Sequence, residues 1–191
     1  MTITSVGAVF RLALIFVFAT SAIGKLRTPE SFQGFAASVS TMTGLRRPSA
    51  VFIGMAVACS ECAVVVLLAL PSHSTAAAGF ALSIVLLVAF VCVIVRTIRN
   101  DIEVSCRCFG SMASRVGWGD TVRNSVLLIF AGAGLASSVG GWPRLGAPAW
   151  ILIALASLAI AMLAARFDDV SWVFGWTDSG DLKAREAAPS S

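Results

Sequence analysis

The residues in this sequence best placed to do chemistry are cysteines. Cys106-Arg107-Cys108-Phe109-Gly110 puts two thiols one residue apart, in the longest polar stretch of the chain. Arg107 between them favours the thiolate, which is the form that attacks disulfides. A disulfide joining residues two apart closes a small, strained ring, and strained disulfides are the readily exchanged kind. Phe109 and Gly110 add an apolar anchor and a flexible turn. Redox exchange is the expectation for this pair; half of a metal site and two incidental loop cysteines are the other readings.

A second pair, Cys59 and Cys62, lies three residues apart inside an apolar run. On a helix the two would share a face, close enough to be bridged. Counted from Ala50 at 1.5 Å per residue they lie roughly 14–18 Å along that helix. A thiol at that depth is a poor nucleophile unless a polar cavity or the Cys106–Cys108 loop reaches it. Small apolar filling of a helix contact is the equally weighted alternative. Cys92, near the end of the next run, is expected to pack.

Glu61 stands between the buried cysteines. A carboxylate at mid-membrane depth needs a partner, and on a helical wheel it points about 100° from Cys62 and about 160° from Cys59. Arg11 is the expected partner, reached from the first helix in a structural ion pair, with Lys25 left at the interface. His73 falls at the opposite end of the third run from Cys106, so the two cannot share a zinc ion; no metal site is expected.

The elements that position these residues are apolar helices. Of 191 residues, 58% are hydrophobic and 13% charged, and mean hydropathy is +0.90. Soluble domains are about 25% charged. The expected fold is an all-α integral membrane protein, a bundle of about five transmembrane helices over residues 1–165, with a partly disordered tail over 166–191. The spans are Val6 to Ile23, Ala50 to Leu70, Ala76 to Val95, Ser125 to Val139 and Trp150 to Ala165. The first reads as a retained anchor, because Arg11 interrupts it and Lys25 and Arg27 follow it. Between the first two spans, Thr28-Pro29-Glu30 starts a short helix and Gly44 stops it. Its Phe32, Phe35, Val39 and Met42 either face lipid from the interface or pack on the bundle. Asp120 is a candidate cap for the fourth helix. Trp118, Trp142, Trp150, Trp172 and Trp176 flank spans, as interfacial anchors do.

The net charge of +4 does not form a patch, so nucleic acid is not an expected partner; the lipid bilayer is. Of the Lys and Arg residues, four lie in 25–49, five in 96–124 and three in the tail, against Arg11 and Arg144 toward the other side. The positive-inside rule then puts the N-terminus outside and the Cys106–Cys108 loop on the cytoplasmic side.

Several motifs together resemble the MauE family of methylamine-utilisation membrane proteins, within a broader DoxX-like group. They are Arg11 with Ala22-Ile23-Gly24-Lys25-Leu26, then Pro29 and Phe32, Glu61, the Cys106 to Gly110 stretch, and Trp118 with Arg123-Asn124. The resemblance implies a four-helix core plus a C-terminal span, in a multi-pass protein of a bacterial inner (plasma) membrane. It also implies a thioredoxin-like partner, with Cys106 and Cys108 as the redox pair of a thiol–disulfide protein, supporting disulfide formation or electron transfer in methylamine metabolism. Cys59 and Cys62 would then relay electrons. No resident cofactor is expected, although the DoxX-like likeness would allow a quinone-linked oxidoreductase subunit. A non-catalytic assembly or structural subunit is the remaining alternative.

Overall fold

Long apolar stretches without internal proline become helices that satisfy their own backbone hydrogen bonds, as a membrane requires. A computed structural model describes residues 3–100, 105–106, 114–115 and 118–137, together with Leu155 and Ser157. In chain order the elements are α1 (Ile3–Leu26), α2 (Pro29–Thr43), α3 (Arg47–Ala69), α4 (His73–Arg99), β1 (Ser105–Cys106), β2 (Ser114–Arg115) and α5 (Trp118–Ser137). Gly7–Leu26, Arg47–Ala69 and His73–Arg99 are long and apolar enough to cross a membrane. Among the described residues these three are the spans that length and composition support. The expected fifth span, 150–165, lies outside the described residues except for Leu155 and Ser157. Ser157 is buried and its hydroxyl donates to the Val9 carbonyl of α1 at 3.1 Å. The tail, and Trp142, Trp150, Trp172 and Trp176, also lie outside them.

The helices α1, α3, α4 and α5 form a ring in which α1 touches α3 and α5, and α4 touches the same two. Leu14, Phe18, Val64, Leu68, Phe80 and Leu127 fill its centre. Close approach of α4 and α5 depends on Gly134, where an added Cβ would run into the Phe80 ring. The outward faces carry exposed Ile23, Phe52, Val66, Val85 and Ile129. Apolar side chains in that position meet lipid.

Helix α2 begins and ends as its sequence dictates. The Thr28 side chain accepts from the Ser31 amide at 3.1 Å. Gly44 closes the helix in the left-handed region at φ 71°, its amide donating to the Ser40 carbonyl at 2.8 Å. Phe35, Ala36 and Met42 are buried against the bundle rather than turned to lipid. The surface they cover is the first half of α3, where Gly54 faces the Phe35 and Phe32 rings. As a result α2 covers the end of α1.

The segment linking α4 to α5 is a hairpin at its base, with Ser105 opposite Arg115 and Cys106 opposite Ser114. β1 rests against α2. Helix α5 starts at Trp118, before the expected cap at Asp120 and the expected span from Ser125. Asp120 therefore stands inside the first turn instead of at the cap, and its carboxylate pairs with Arg123 at 3.2 Å.

Candidate functional site

The geometry of Glu61 overturns the expected Arg11–Glu61 pair. Its carboxylate meets Lys25 instead, with Nζ to Oε1 at 2.5 Å and both side chains 1% exposed. Ser21, one turn before Lys25 on α1, completes a triangle. Its hydroxyl accepts from Lys25 at 2.7 Å and donates to Glu61 Oε1 at 3.0 Å. The Phe35 and Phe90 rings lie 4.9 and 5.6 Å from the ammonium, and cations are attracted to aromatic faces within about 6 Å. Glu61 Oε2 is buried with no hydrogen-bond partner among the described residues.

Arg11 serves a different end. Its Nε donates to the Leu68 carbonyl at 2.5 Å, and its Nη2 donates to the Leu70 carbonyl. These are orphan carbonyls at the C-terminus of α3, where a cation is favoured by the helix dipole. The reason for the swap is vertical position. α1 and α3 run antiparallel, so Arg11 falls level with the last turn of α3, two turns beyond Glu61. In the C-terminal turn of α1, Ile23 and Leu26 face outward while Lys25 turns inward against Phe35 of α2. Lys25 is therefore already buried when it meets Glu61.

Lys25, Ser21 and Glu61 form part of the wall of a cavity of about 210 Å³. All five α-helices contribute to it: Phe18 from α1, Met42 from α2, Val57 from α3, Phe90 from α4 and Leu127 from α5 are representative. The walls are mostly apolar apart from this triangle, Ser38 and Thr43 of α2, and the first turns of α5, where Asp120, Arg123 and Asn124 enter. Ala89, also on the wall, is exposed. β1 rests on α2, one of the helices that line the cavity, and β2 precedes α5, another of them, in the chain.

The cysteines divide sharply. Cys106 has its backbone in β1, opposite Ser114, beside the helix that covers the cavity. Cys108 lies outside the described residues. Cys59 and Cys62 are free and exposed on α3, with Glu61 facing inward between them. Neither lines the cavity. Cys92 is free and exposed as well, on the outer surface of α4, so the expectation that it packs is corrected. His73 opens α4 at the end opposite the hairpin and is exposed.

Lys25 and Ser21 are the site residues that sequence reasoning missed. The available signal was their spacing: residues four apart share a helix face, and a serine on the inward face of an apolar helix marks something polar to bind.

A family model described as methylamine utilisation protein MauE matches residues 3–137. No curated protein and no solved structure matches the chain. The matched range takes in α1 through α5, the buried Lys25–Glu61 pair and the hairpin with Cys106, and over that span the chain belongs to the MauE family.

Proposed function

We propose that this MauE-family membrane protein carries out thiol–disulfide exchange, with Cys106 and Cys108 as the exchanging pair and a thioredoxin-like protein as partner. The observation that carries this reading is the hairpin. Pairing Cys106 with Ser114 holds the start of the Cys-x-Cys stretch at a fixed point between α4 and α5. Arg107 lies between the thiols and favours the thiolate. In the exchange, a partner thiolate attacks one sulfur of the Cys106–Cys108 disulfide, the bond between them breaks, and the second cysteine leaves as a thiolate. A second thiolate of the partner then attacks the partner's own sulfur in the mixed disulfide, so the partner leaves oxidised with a new S–S bond and both Cys106 and Cys108 are left reduced.

Methylamine metabolism is the proposed setting, on the strength of the family. A bacterial inner membrane, an outside N-terminus and a cytoplasmic hairpin are the proposed placement, on the distribution of Lys and Arg. A relay through Cys59 and Cys62 has less support, because both face outward and are unbridged.

The test is maleimide mass-tagging of the cysteines in intact cells and in spheroplasts, with and without reductant. Cys106 and Cys108 are expected to shift between tagged and protected forms as reductant is added. A pair that stays reduced throughout overturns the proposal. Full function in the Cys106→Ser and Cys108→Ser variants would instead support a non-catalytic assembly role.

A further inference from the structure

Exposed positive charge and accessible apolar wall meet at one end of the helix ring. Arg46 and Arg47 open α3, and Arg96 and Arg99 lie in the last turn of α4. The short link 70–72 makes α3 and α4 antiparallel, so these four arginines share one end of the bundle. All four are exposed, and among the described residues none of their side chains makes an ion pair or a hydrogen bond. The acidic residues described are Glu30, at the far end of α2, and Glu61 and Asp120, which pair with Lys25 and Arg123. The arginine cluster therefore carries positive charge that no described carboxylate offsets.

The cavity reaches the surface beside this cluster. Its lining residues on α1 are buried, and so are those on α5 past Asp120. On the flank of α2 and α4, by contrast, Val39, Thr43 and Val93 are half-buried and Ala89 is exposed. Helix α2 packs chiefly on α3 and only lightly on α4, which leaves the wall accessible on that flank. Both of its stripes run toward the arginines. Ala89, Val93 and Arg96 are spaced i, i+4, i+7, one face of a helix, and span about 10 Å along it. On α2, Val39 and Thr43 share a face, and Arg46 follows three residues later. The Thr43 hydroxyl donates to the Val39 carbonyl at 2.6 Å, so it needs no bond from a ligand.

An occupant has to match both parts. The charges on the cavity wall are balanced in pairs, Lys25 with Glu61 and Arg123 with Asp120, so no net charge is needed inside. An apolar chain suits the space. A cavity of about 150 Å³ holds benzene, and one of about 210 Å³ takes a length of acyl chain but not a whole lipid. The head stays outside, where unpaired guanidiniums favour a phosphate, which they bind in bidentate fashion. Basic pockets between membrane helices take anionic head groups in this way. We propose that an anionic phospholipid is held between α2 and α4, with one acyl chain entering the cavity past Ala89 and the phosphate on Arg46 and Arg96. A lipid fits better than an acidic protein, because the charged cluster continues directly into apolar stripes that face the bilayer. The site uses neither Cys106 nor Cys108, so it stands apart from thiol–disulfide exchange.

The test is native mass spectrometry of the full-length, delipidated protein in detergent. It is titrated with dioleoyl phosphatidylglycerol and, in parallel, with dioleoyl phosphatidylcholine. A single saturating adduct with phosphatidylglycerol is expected, at a concentration about tenfold below that needed for phosphatidylcholine. Arg46→Gln combined with Arg96→Gln should weaken phosphatidylglycerol about tenfold or more, the worth of two arginines at an anionic head. Ala89→Trp, which fills the mouth at an exposed position and changes no charge, should weaken it comparably. Thermal melts check that these variants fold, and Val93→Phe replaces Ala89→Trp if that one does not. Glycerol 3-phosphate, the head without its chains, should not displace the lipid. Equal binding of the two lipids overturns the proposal, as does unchanged affinity in the folded arginine variant. Unchanged affinity in a folded, mouth-filled variant overturns it too, leaving the lipid on the arginines alone. Displacement by glycerol 3-phosphate would make the cluster a site for soluble anions, and no adduct with either lipid would leave it to an acidic protein surface; each result refutes the lipid site.

Discussion

Lys25 and Glu61 are each almost inaccessible to solvent, and a buried charge that loses its partner is far more damaging than a pair that is absent altogether. Lys25→Met should therefore destabilise the protein by about 3–5 kcal/mol, read as a drop in thermal midpoint in detergent. Adding Glu61→Leu to Lys25→Met should recover most of the loss. Arg11→Leu combined with Glu61→Leu should show no such recovery, because Arg11 holds the carbonyls of Leu68 and Leu70 and not the carboxylate. A double-mutant cycle that instead couples Arg11 to Glu61 would refute the pairing described here. The pairing could not be settled from the sequence because α1 offers two cations. Counting turns from Lys25 assumes that the residue sits at the membrane surface, and α2 removes that assumption.

Among the elements, α4 and α5 meet where Gly134 gives way to the Phe80 ring. Gly134→Ala should cost about 1–3 kcal/mol through overpacking, and Phe80→Leu in that background should restore part of it; equal melting of Gly134→Ala and wild type would show that the helices can part without cost. Helix α2 makes the complementary point. Its Thr28 cap and Gly44 stop are local, and both were legible as residue types in sequence. Its amphipathic face was legible too. What that face covers was not, since lipid and the flank of α3 are equally apolar partners. Gly44→Ala should destabilise by about 1 kcal/mol, measured in the same melts, because alanine adopts the positive φ of 71° only under strain.

At the scale of the whole molecule, a ring of four helices and the covering α2 enclose a charged triangle on the wall of a largely apolar chamber, and β1, which carries Cys106, rests on α2. The basic residues beside the hairpin predict its side of the membrane. In intact cells a membrane-impermeant maleimide should leave Cys106 and Cys108 unlabelled, and should label them once the membrane is opened from the cytoplasmic face. Labelling in intact cells would reverse the proposed orientation.

What the sequence determined by itself was most of what depends on near neighbours, with the cap expected at Asp120 as the exception. Helix periods, the Thr28 and Gly44 caps, the apolar lengths of α1, α3 and α4, and the Cys-Arg-Cys spacing all follow from residues within a few turns of one another. It also determined that Glu61 must have a partner, since no carboxylate is left alone among apolar helices. Only the tertiary structure decided which cation that is. Partner choice depends on how far α1 and α3 slide past each other and on what covers their ends, and helical periodicity is unchanged by such a slide. The same freedom hid the chamber, whose walls come from five α-helices and whose existence depends on how those helices are held apart.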